Sequence, residues 1–371
     1  MTSSNRIYLD YNASAPLRNE ARAAMMSTLD IIGNPSSVHT FGRKARCIIE
    51  EARESVATLV GVKPANVFFT SGATEANNWF FRGGWETALV SSIEHDSVLE
   101  PIKRSRINIK HILTSSAGVA QVEELSEMLL SRNGCNLPMC ASLQMANNET
   151  GAIQPVAKLA SFCRYYGIAM HSDAAQAAGR VKIKLDELGV DTLSLSSHKI
   201  GGPSGVGALV IRDGFDLPAL MLGGGQEHRK RSGTENVIGI AGFGAAANSA
   251  VRDLKEVSRF RLMRDRIEHN IKSITPEAVI IASDADRLVN TSCISLPGKS
   301  AETLLIKLDL KGFAVSSGAA CSSGKVNSSH VLSAMGLTSD IIRGAIRISV
   351  GWNSSEAEIS SLAEVWSKLF S

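Results

Sequence analysis

Residues 192–203 have the sequence TLSLSSHKIGGP, which joins a short apolar run to a polar turn. The run from Thr192 to Leu195 is typical of a buried β-strand. Lys199 follows the strand and precedes a Gly-Gly-Pro sequence that ends regular structure. A lysine in this setting is not typical of a solvated surface, so the pattern predicts a functional amine at a strand end.

Further apolar runs of the same kind lie between residues 60 and 215, separated by helical patterns. Short continuous apolar runs indicate a largely parallel sheet that is buried on both faces. This part of the chain is therefore predicted to be an α/β domain. The predicted strands are 67–70, 88–90, 140–145, 168–170, 192–195 and 208–211.

The chain changes in character from about residue 251, where a long charged helix over 251–275 is predicted. A smaller α+β domain follows from the alternation of helix and strand patterns there. Its other predicted elements are strands at 279–281, 291–296, 313–316 and 345–350 and a helix after Ser300.

Composition limits the function classes. The 371 residues are enough for two domains, and a net charge of +3 spread along the sequence does not indicate nucleic-acid or anionic-membrane binding. No apolar run reaches the roughly 18 residues of a membrane span, and no N-terminal signal pattern is present, so a cytoplasmic location is expected. Six cysteines are too sparse for a disulfide framework, and reduced thiols are expected.

Polar residues follow nearly every predicted strand. In open α/β sheets ligands bind at the carboxyl ends of strands, so these residues are expected to share one crevice. Taken singly, each is equally typical of a helix cap, and the turn at 71–75 is also typical of a plain glycine turn. The residues concerned are Ser71 to Glu75, Glu94, His95, Asn147 to Glu149, His171 to Gln176, Ser196, His198 and Lys199.

The crevice is predicted to contain a turn that can bind a phosphate, an acidic residue and a lysine. Pyridoxal phosphate has the matching features, which are a phosphate, a basic ring nitrogen and an aldehyde. Asp173 would pair with the ring nitrogen, and Lys199 would hold the cofactor as a Schiff base. His95 would stack on the ring or move protons.

Cys321 lies in residues 316–324, SSGAACSSG, which contain no bulky side chain and are predicted to be mobile. This polar setting favours a nucleophilic thiol, whereas Cys47, Cys140, Cys163 and Cys293 are predicted to be buried. Cys135 is interpreted as an exposed loop thiol. Arg347 interrupts an apolar strand, so it is either an exposed edge-strand residue or a clamp for a substrate carboxylate.

These motifs together resemble the NifS/IscS-like cysteine desulfurases of the class-V aminotransferase group, which have the fold type of aspartate aminotransferase. The ordered set covers almost the whole chain. Besides the residues above, it includes residues 8–12 (YLDYN), 33–37 (GNPSS), 223–227 (GGGQE) and 231–234 (RSGT).

The resemblance implies a role for each site residue and no metal. Cys321 would receive the sulfur as a persulfide, and Lys199 and His95 would be the other catalytic residues. Thr234 would reach the phosphate of the neighbouring subunit, which implies a homodimer. The cofactor-binding residues would be Ala73, Thr74, His95, Asn148, Asp173, Gln176, Ser196, His198, Lys199 and Thr234, and the substrate carboxylate would be held by Asn148 and Arg347.

The resemblance also implies a large pyridoxal-phosphate-binding α/β domain over 14–250 and a small α+β domain formed by 1–13 and 251–371. The implied reaction converts L-cysteine to L-alanine and supplies sulfur, through an acceptor or scaffold protein, for iron–sulfur clusters, other sulfur-containing cofactors or tRNA. Three alternatives stay open: a selenocysteine lyase, another lyase or aminotransferase of the same fold, and a non-catalytic binding module. Ser204, Trp352 and Asn353 depart from the pattern of the family, and the chain ends at Ser371 without a longer tail.

Overall fold

This computed structural model describes residues 6–123, 125, 138–318 and 328–370. The strands are β1 (Ile7–Tyr8), β2 (Val67–Thr70), β3 (Thr87–Ser91), β4 (Asn108–Ile112), β5 (Met139–Ser142), β6 (Ala169–Asp173), β7 (Thr192–Ser196), β8 (Gly207–Ile211), β9 (Val279–Ile281), β10 (Thr291–Ser295), β11 (Phe313–Ala314), β12 (Ser316–Ser317) and β13 (Ala345–Ser349). The helices are α1 (Asn19–Thr28), α2 (Thr40–Val60), α3 (Ala73–Phe80), α4 (Asp96–Lys103), α5 (Val156–Tyr165), α6 (Leu185–Leu188), α7 (Val237–Asp253), α8 (Val257–Ile274), α9 (Ala301–Leu310), α10 (His330–Ala334), α11 (Ser339–Arg343) and α12 (Glu356–Phe370).

The larger sheet has seven strands in the order β2-β8-β7-β6-β5-β3-β4. β8 runs antiparallel to both of its neighbours, whereas the pairs from β7 to β4 are parallel. Alternate side chains of one strand point to opposite faces of a sheet. Accordingly, Val67 and Phe69 pack with residues of α2 and α7, while Phe68 packs with residues of α3 and α4. Helices on both faces explain why the strands read as continuous apolar runs.

A second sheet of four antiparallel strands has the order β12-β13-β10-β9. It shares a separate hydrophobic core with α8, α9 and α12, in which Phe313 and Trp366 are fully buried. β1 pairs in parallel with β11. The N-terminal segment is therefore bound to elements from the C-terminal third of the chain.

The predicted α/β class with a mostly parallel sheet is confirmed, but several element predictions are wrong. The helix predicted over 251–275 is two helices, because α7 ends at Asp253 and α8 begins at Val257. The strand predicted over 313–316 is β11 and β12, which belong to different sheets. Cys47 is exposed on α2, whereas Cys140, Cys163 and Cys293 are buried as predicted.

The predicted division into 14–250 and 1–13 with 251–371 stays a prediction. None of the helices in the described ranges is long and apolar enough to cross a bilayer.

Candidate active site

A cavity of about 500 Å³ lies at the carboxyl ends of the parallel strands of the larger sheet. Residues that follow β2, β3, β5, β6 and β7 line it together with residues from the N-terminal segment and from β13. The structure therefore brings most of the predicted site residues together. The predicted residues that line the cavity are Ala73, Thr74, His95, Asn148, Asp173, Gln176, Ser196, His198, Lys199 and Arg347.

Two predicted residues are not in this group. Thr234 is exposed and is not among the residues that line the cavity. Cys321 lies outside the described residues, as does Cys135. Ser204, which departs from the pattern of the family, lines the cavity.

Lys199 is the last residue of a 3-10 turn, Ser197–Lys199, that follows β7 directly. Its ammonium donates hydrogen bonds to the main-chain carbonyls of Asn12 (2.6 Å) and Ala13 (3.0 Å). Asn12 is itself held in place, because its main-chain N–H donates a hydrogen bond to Ser349 Oγ at 3.0 Å. The N-terminal segment therefore positions the lysine amine.

The turn between β2 and α3 presents Ala73 and Thr74 in the first turn of the helix, where unpaired N–H groups and the helix dipole favour an anion. The backbone is close-packed here, since a Cβ on Gly207 would lie 2.6 Å from the Cα of Gly72. Glu75 pairs with Arg231 at 2.8 Å. Burial raises the pKa of Glu75, but the hydrogen bonds from Arg231 and Ser71 outweigh burial, so the pKa lies below its usual value.

Ser196 ends β7, and His198 lies beside Lys199 in the turn. Burial, with a further effect of the Lys199 charge, lowers the pKa of His198 to about 4. His198 is therefore neutral at pH 7 and carries one N–H. Its Nδ1 lies 3.2 Å from Ser14 Oγ. If that hydroxyl donates, Nε2 of His198 carries the proton and is a hydrogen-bond donor.

Asp173 is the last residue of β6, so the prediction that it follows the strand is wrong by a few residues. Its side chain is held by two neutral donors: the N–H of Ala175 at 2.8 Å and Nδ2 of Asn77 at 2.7 Å. The residue is 7% exposed. These neutral donors orient the carboxylate.

His95 caps α4 through its ring, because Nδ1 accepts from the N–H of Ser97 at 3.0 Å. Gln176 donates from Nε2 to the carbonyl of Asn12 at 2.9 Å. Gln176 and Lys199 therefore contact the same main-chain oxygen.

Arg347 lies on β13, which has neighbours on both sides in its sheet, and it is 4% exposed. The edge-strand interpretation is therefore wrong. Its guanidinium donates to Asp10 Oδ1 at 2.7 Å and to the carbonyl of Asn148 at 3.0 Å. Its buried Nε has no partner among the described residues.

Trp352 lies behind the lysine turn rather than in the cavity. The guanidinium of Arg18 stacks on the Trp352 ring, 3.7 Å from its centroid, and donates from Nε to the carbonyl of Ile200 at 2.8 Å. This departure from the family pattern therefore supports the backbone next to Lys199.

Sequence reasoning assigned no role to Asp10, Asn12 or Asn77. Asp10 was detectable, because it follows a short apolar run and so fits the strand-end rule. Asn12 contacts Lys199 through its main chain, which no side-chain pattern reports. Asn77 lies inside a helix, where an Asn is usually solvated.

A model of the class-V aminotransferase family matches residues 7–362. The chain belongs to the class-V aminotransferase family. Among its curated relatives, a protein named cysteine desulfurase IscS from Dictyoglomus turgidum is 37% identical over 375 residues, which cover 98% of this chain and 94% of that protein. An IscS-like cysteine desulfurase from Mycobacterium tuberculosis is also 37% identical, over 96% of this chain and 94% of that protein.

The class-V fold is also clear from solved structures. A NifS-like protein from Rickettsia africae superposes with a TM-score of 0.91 at 34% identity, with 99% of both chains covered. The predicted resemblance to NifS/IscS-like cysteine desulfurases and the predicted transferase fold are therefore confirmed.

Proposed function

We propose that this class-V aminotransferase is a pyridoxal-phosphate-dependent cysteine desulfurase that forms L-alanine and leaves the sulfur of L-cysteine as a persulfide on Cys321. The observation that carries the proposal is that Lys199, Asp173 and Arg347 line one cavity. The chain around that cavity is 37% identical to a curated cysteine desulfurase over 98% of its length.

The residues present fit pyridoxal phosphate. An amine, a carboxylate and a helix N-terminus share the cavity, as an aldehyde, a ring nitrogen and a phosphate require. Arg347 lines the same cavity, and a guanidinium there suits the carboxylate of an amino acid.

When bound, pyridoxal phosphate supplies an aldehyde for the Lys199 amine and a ring that withdraws electrons from the α-carbon of an amino acid. Asp173 would hold the proton on the ring nitrogen, and Gln176 would donate to the ring oxygen. The phosphate would accept from the N–H groups at Ala73 and Thr74 and from the side chains of Thr74, Ser196 and His198. Lys199 would then move the proton at the α-carbon, and His95 would stack on the ring.

The substrate would be held by its carboxylate between Arg347 and Asn148. Cys321 would attack the sulfur of L-cysteine, so that the carbon–sulfur bond breaks and a sulfur–sulfur bond forms. A proton goes to the β-carbon, which gives L-alanine and the Cys321 persulfide with all atoms accounted for. The persulfide would pass to an acceptor or scaffold protein for iron–sulfur cluster, cofactor or tRNA synthesis. A cytoplasmic location stays part of this proposal.

A homodimer is supported by exposed apolar residues from the end of α1 to the start of α2. Scattered exposed apolar residues are normal on a monomer, whereas a concentration of them favours an interface. Five large apolar side chains between residues 26 and 41 are at least 62% exposed: Met26, Leu29, Ile32, Val38 and Phe41. In a dimer the exposed Thr234 would reach the partner's phosphate.

The test is Cys321→Ala, with Cys47→Ala as the control for loss of an exposed thiol. Cys321→Ala should keep the cofactor and lose alanine and persulfide formation together, whereas Cys47→Ala should keep both. The measurement is alanine formed per active site, with mass spectrometry of the Cys321 peptide after brief exposure to L-cysteine.

Full alanine production by Cys321→Ala, or a wild-type peptide that never gains one sulfur atom, would contradict the mechanism. A keto acid product would indicate an aminotransferase. Turnover of selenocysteine but not of cysteine by the wild type would indicate a selenocysteine lyase, and no turnover of either substrate by the wild type would indicate a binding module.

A further inference from the structure

A buried hydrogen-bond chain, here called the amide relay, consists of Thr192, His171, Asn77 and Ser97 and contacts two residues of the site. Thr192 on β7 is paired in register with His171 on β6, and its Oγ1 lies 2.8 Å from His171 Nδ1. His171 Nε2 lies 2.9 Å from Asn77 Oδ1. Thr192, His171 and Asn77 are fully buried. None of the three lines the cavity.

Asn77 connects the relay to the site through both hydrogens of its amide. Nδ2 donates to Asp173 Oδ2 at 2.7 Å and to Ser97 Oγ at 2.8 Å. An ionised carboxylate only accepts hydrogen bonds, so the amide nitrogen, and not the amide oxygen, must face Asp173. The oxygen of Asn77 is then forced toward His171, which must donate to it.

His171 can donate to Asn77 in only one way. Burial lowers the pKa of His171 to about 4, although the Asp173 charge opposes this, so the ring is neutral at pH 7 and has one N–H. That proton lies on Nε2 because Asn77 presents an acceptor. Nδ1 therefore accepts from the hydroxyl of Thr192.

The relay also reaches His95. Since Ser97 Oγ accepts from Asn77, its own hydrogen is available for His95 Nδ1, which lies 2.8 Å away. The N–H of Ser97 donates to the same nitrogen at 3.0 Å. A nitrogen that accepts two hydrogen bonds carries no proton, so neutral His95 has its proton on Nε2.

We infer that His171 is a positioning residue, which acts through Asn77 to fix the orientation of the Asp173 carboxylate. The inference rests on the proposed function, because that function gives Asp173 its role at the cofactor ring. A purely structural role is the alternative, since Phe80 stacks on the His171 ring at 4.8 Å between centroids and 19° between planes.

The test compares His171→Gln with His171→Phe, because the two roles predict opposite orders. Gln places an amide N–H near the position of Nε2 but loses the aromatic ring, whereas Phe keeps a ring against Phe80 but cannot donate. A positioning role predicts that Gln keeps the cofactor affinity and that Phe weakens it by about tenfold, which is the effect of one hydrogen bond to a charged group. A packing role predicts that Phe is the milder change.

The tautomer of His171 is a second readout that needs neither cofactor nor turnover. ¹⁵N shifts of histidine-labelled protein report which ring nitrogen is protonated, and His171→Gln assigns the His171 signals among the eight histidines. Wild type should show protonated Nε2, whereas Asn77→Leu, which removes the acceptor, should show a mixture of tautomers. This measurement holds even if the wild type forms no alanine, so failure of the proposed function is distinguishable from failure of the inference.

If His171→Phe does not fold, Asn77→Leu carries the same test, because it interrupts the relay with an apolar side chain of similar size. It should also weaken cofactor binding and mix the His171 tautomers. Unchanged cofactor affinity in both His171→Phe and Asn77→Leu, an unchanged His171 tautomer in Asn77→Leu, or a milder effect of Phe than of Gln, would overturn the inference.

Discussion

Arg347→Ala is expected to weaken L-cysteine binding while the visible absorbance of the bound cofactor stays unchanged. The Arg347 side chain is 4% exposed and lines the cavity, and none of the proposed cofactor contacts involves it. A hydrogen bond to a charged group contributes about 1.5–3 kcal/mol. Since about 1.4 kcal/mol corresponds to a factor of ten, KM should rise about ten- to a hundredfold.

Arg347→Lys should fall between wild type and Arg347→Ala, because an ammonium keeps the charge but loses the planar fork that holds a carboxylate at two points. Initial rates of alanine formation against L-cysteine concentration give KM for each variant. A KM for Arg347→Ala within about twofold of wild type, with the absorbance intact, would refute the assignment.

A stability control separates binding from folding. Arg347 pairs with Asp10 at 2.7 Å, and the Asp10 side chain is only 17% exposed. Arg347→Ala leaves that carboxylate without its cation and should lower the melting temperature. Adding Asp10→Asn removes the unpaired charge, so the double variant should recover stability but keep the high KM. Recovery of both would indicate that the KM effect came from misfolding.

Three further predictions concern Lys199 and two buried carboxyl groups. Borohydride reduction followed by peptide mapping should place a pyridoxyl group on Lys199, and a label on another lysine would contradict the cofactor assignment. Burial, with a smaller effect of the Asp173 charge, raises the pKa of Glu94 from 4.5 to about 8, so this group stabilises the fold most at low pH. Its contribution should be lost as pH rises from 4.5 to 8, by at most about 1.4 kcal/mol per pH unit, and Glu94→Gln should flatten that part of the unfolding free energy profile. Glu227→Ala removes the two hydrogen bonds of 2.8 Å that the buried Arg53 donates to Glu227. Denaturant titrations should show that the fold is destabilised by about 3–5 kcal/mol, and a loss below about 1 kcal/mol would contradict this expectation.

Much of the site was accessible from the sequence because the strand-end rule is local. Thr74, Asp173 and Lys199 each lie at or just beyond the end of an apolar run, and parallel strands carry such residues to the same edge. Only the exact end of each strand was uncertain. Nothing in the apolar run at 168–170 shows that β6 continues through His171 to Asp173.

The remaining features depend on contacts between distant residues. Cys47 was expected to be buried, but it lies on the solvent-facing side of α2, and its hydrogen bond to Glu51 reflects that exposure. The burial of Arg347 depends on the strands that pair with β13 on either side, and these are separated from it in sequence. The order of strands in a sheet is a tertiary property, so a single apolar run cannot distinguish an edge position from an internal one.

The contacts of residues 7–14 also determine when the site can assemble. β1 pairs with β11, and Asn12 bonds to Thr291 and Ser349, which are 279 and 337 positions further along the chain. The Asn12 carbonyl that accepts from Lys199 is thus held by residues from the C-terminal third of the described chain. Contacts of such long range form late in folding. A nascent chain therefore cannot complete the lysine pocket until β13 has been synthesised.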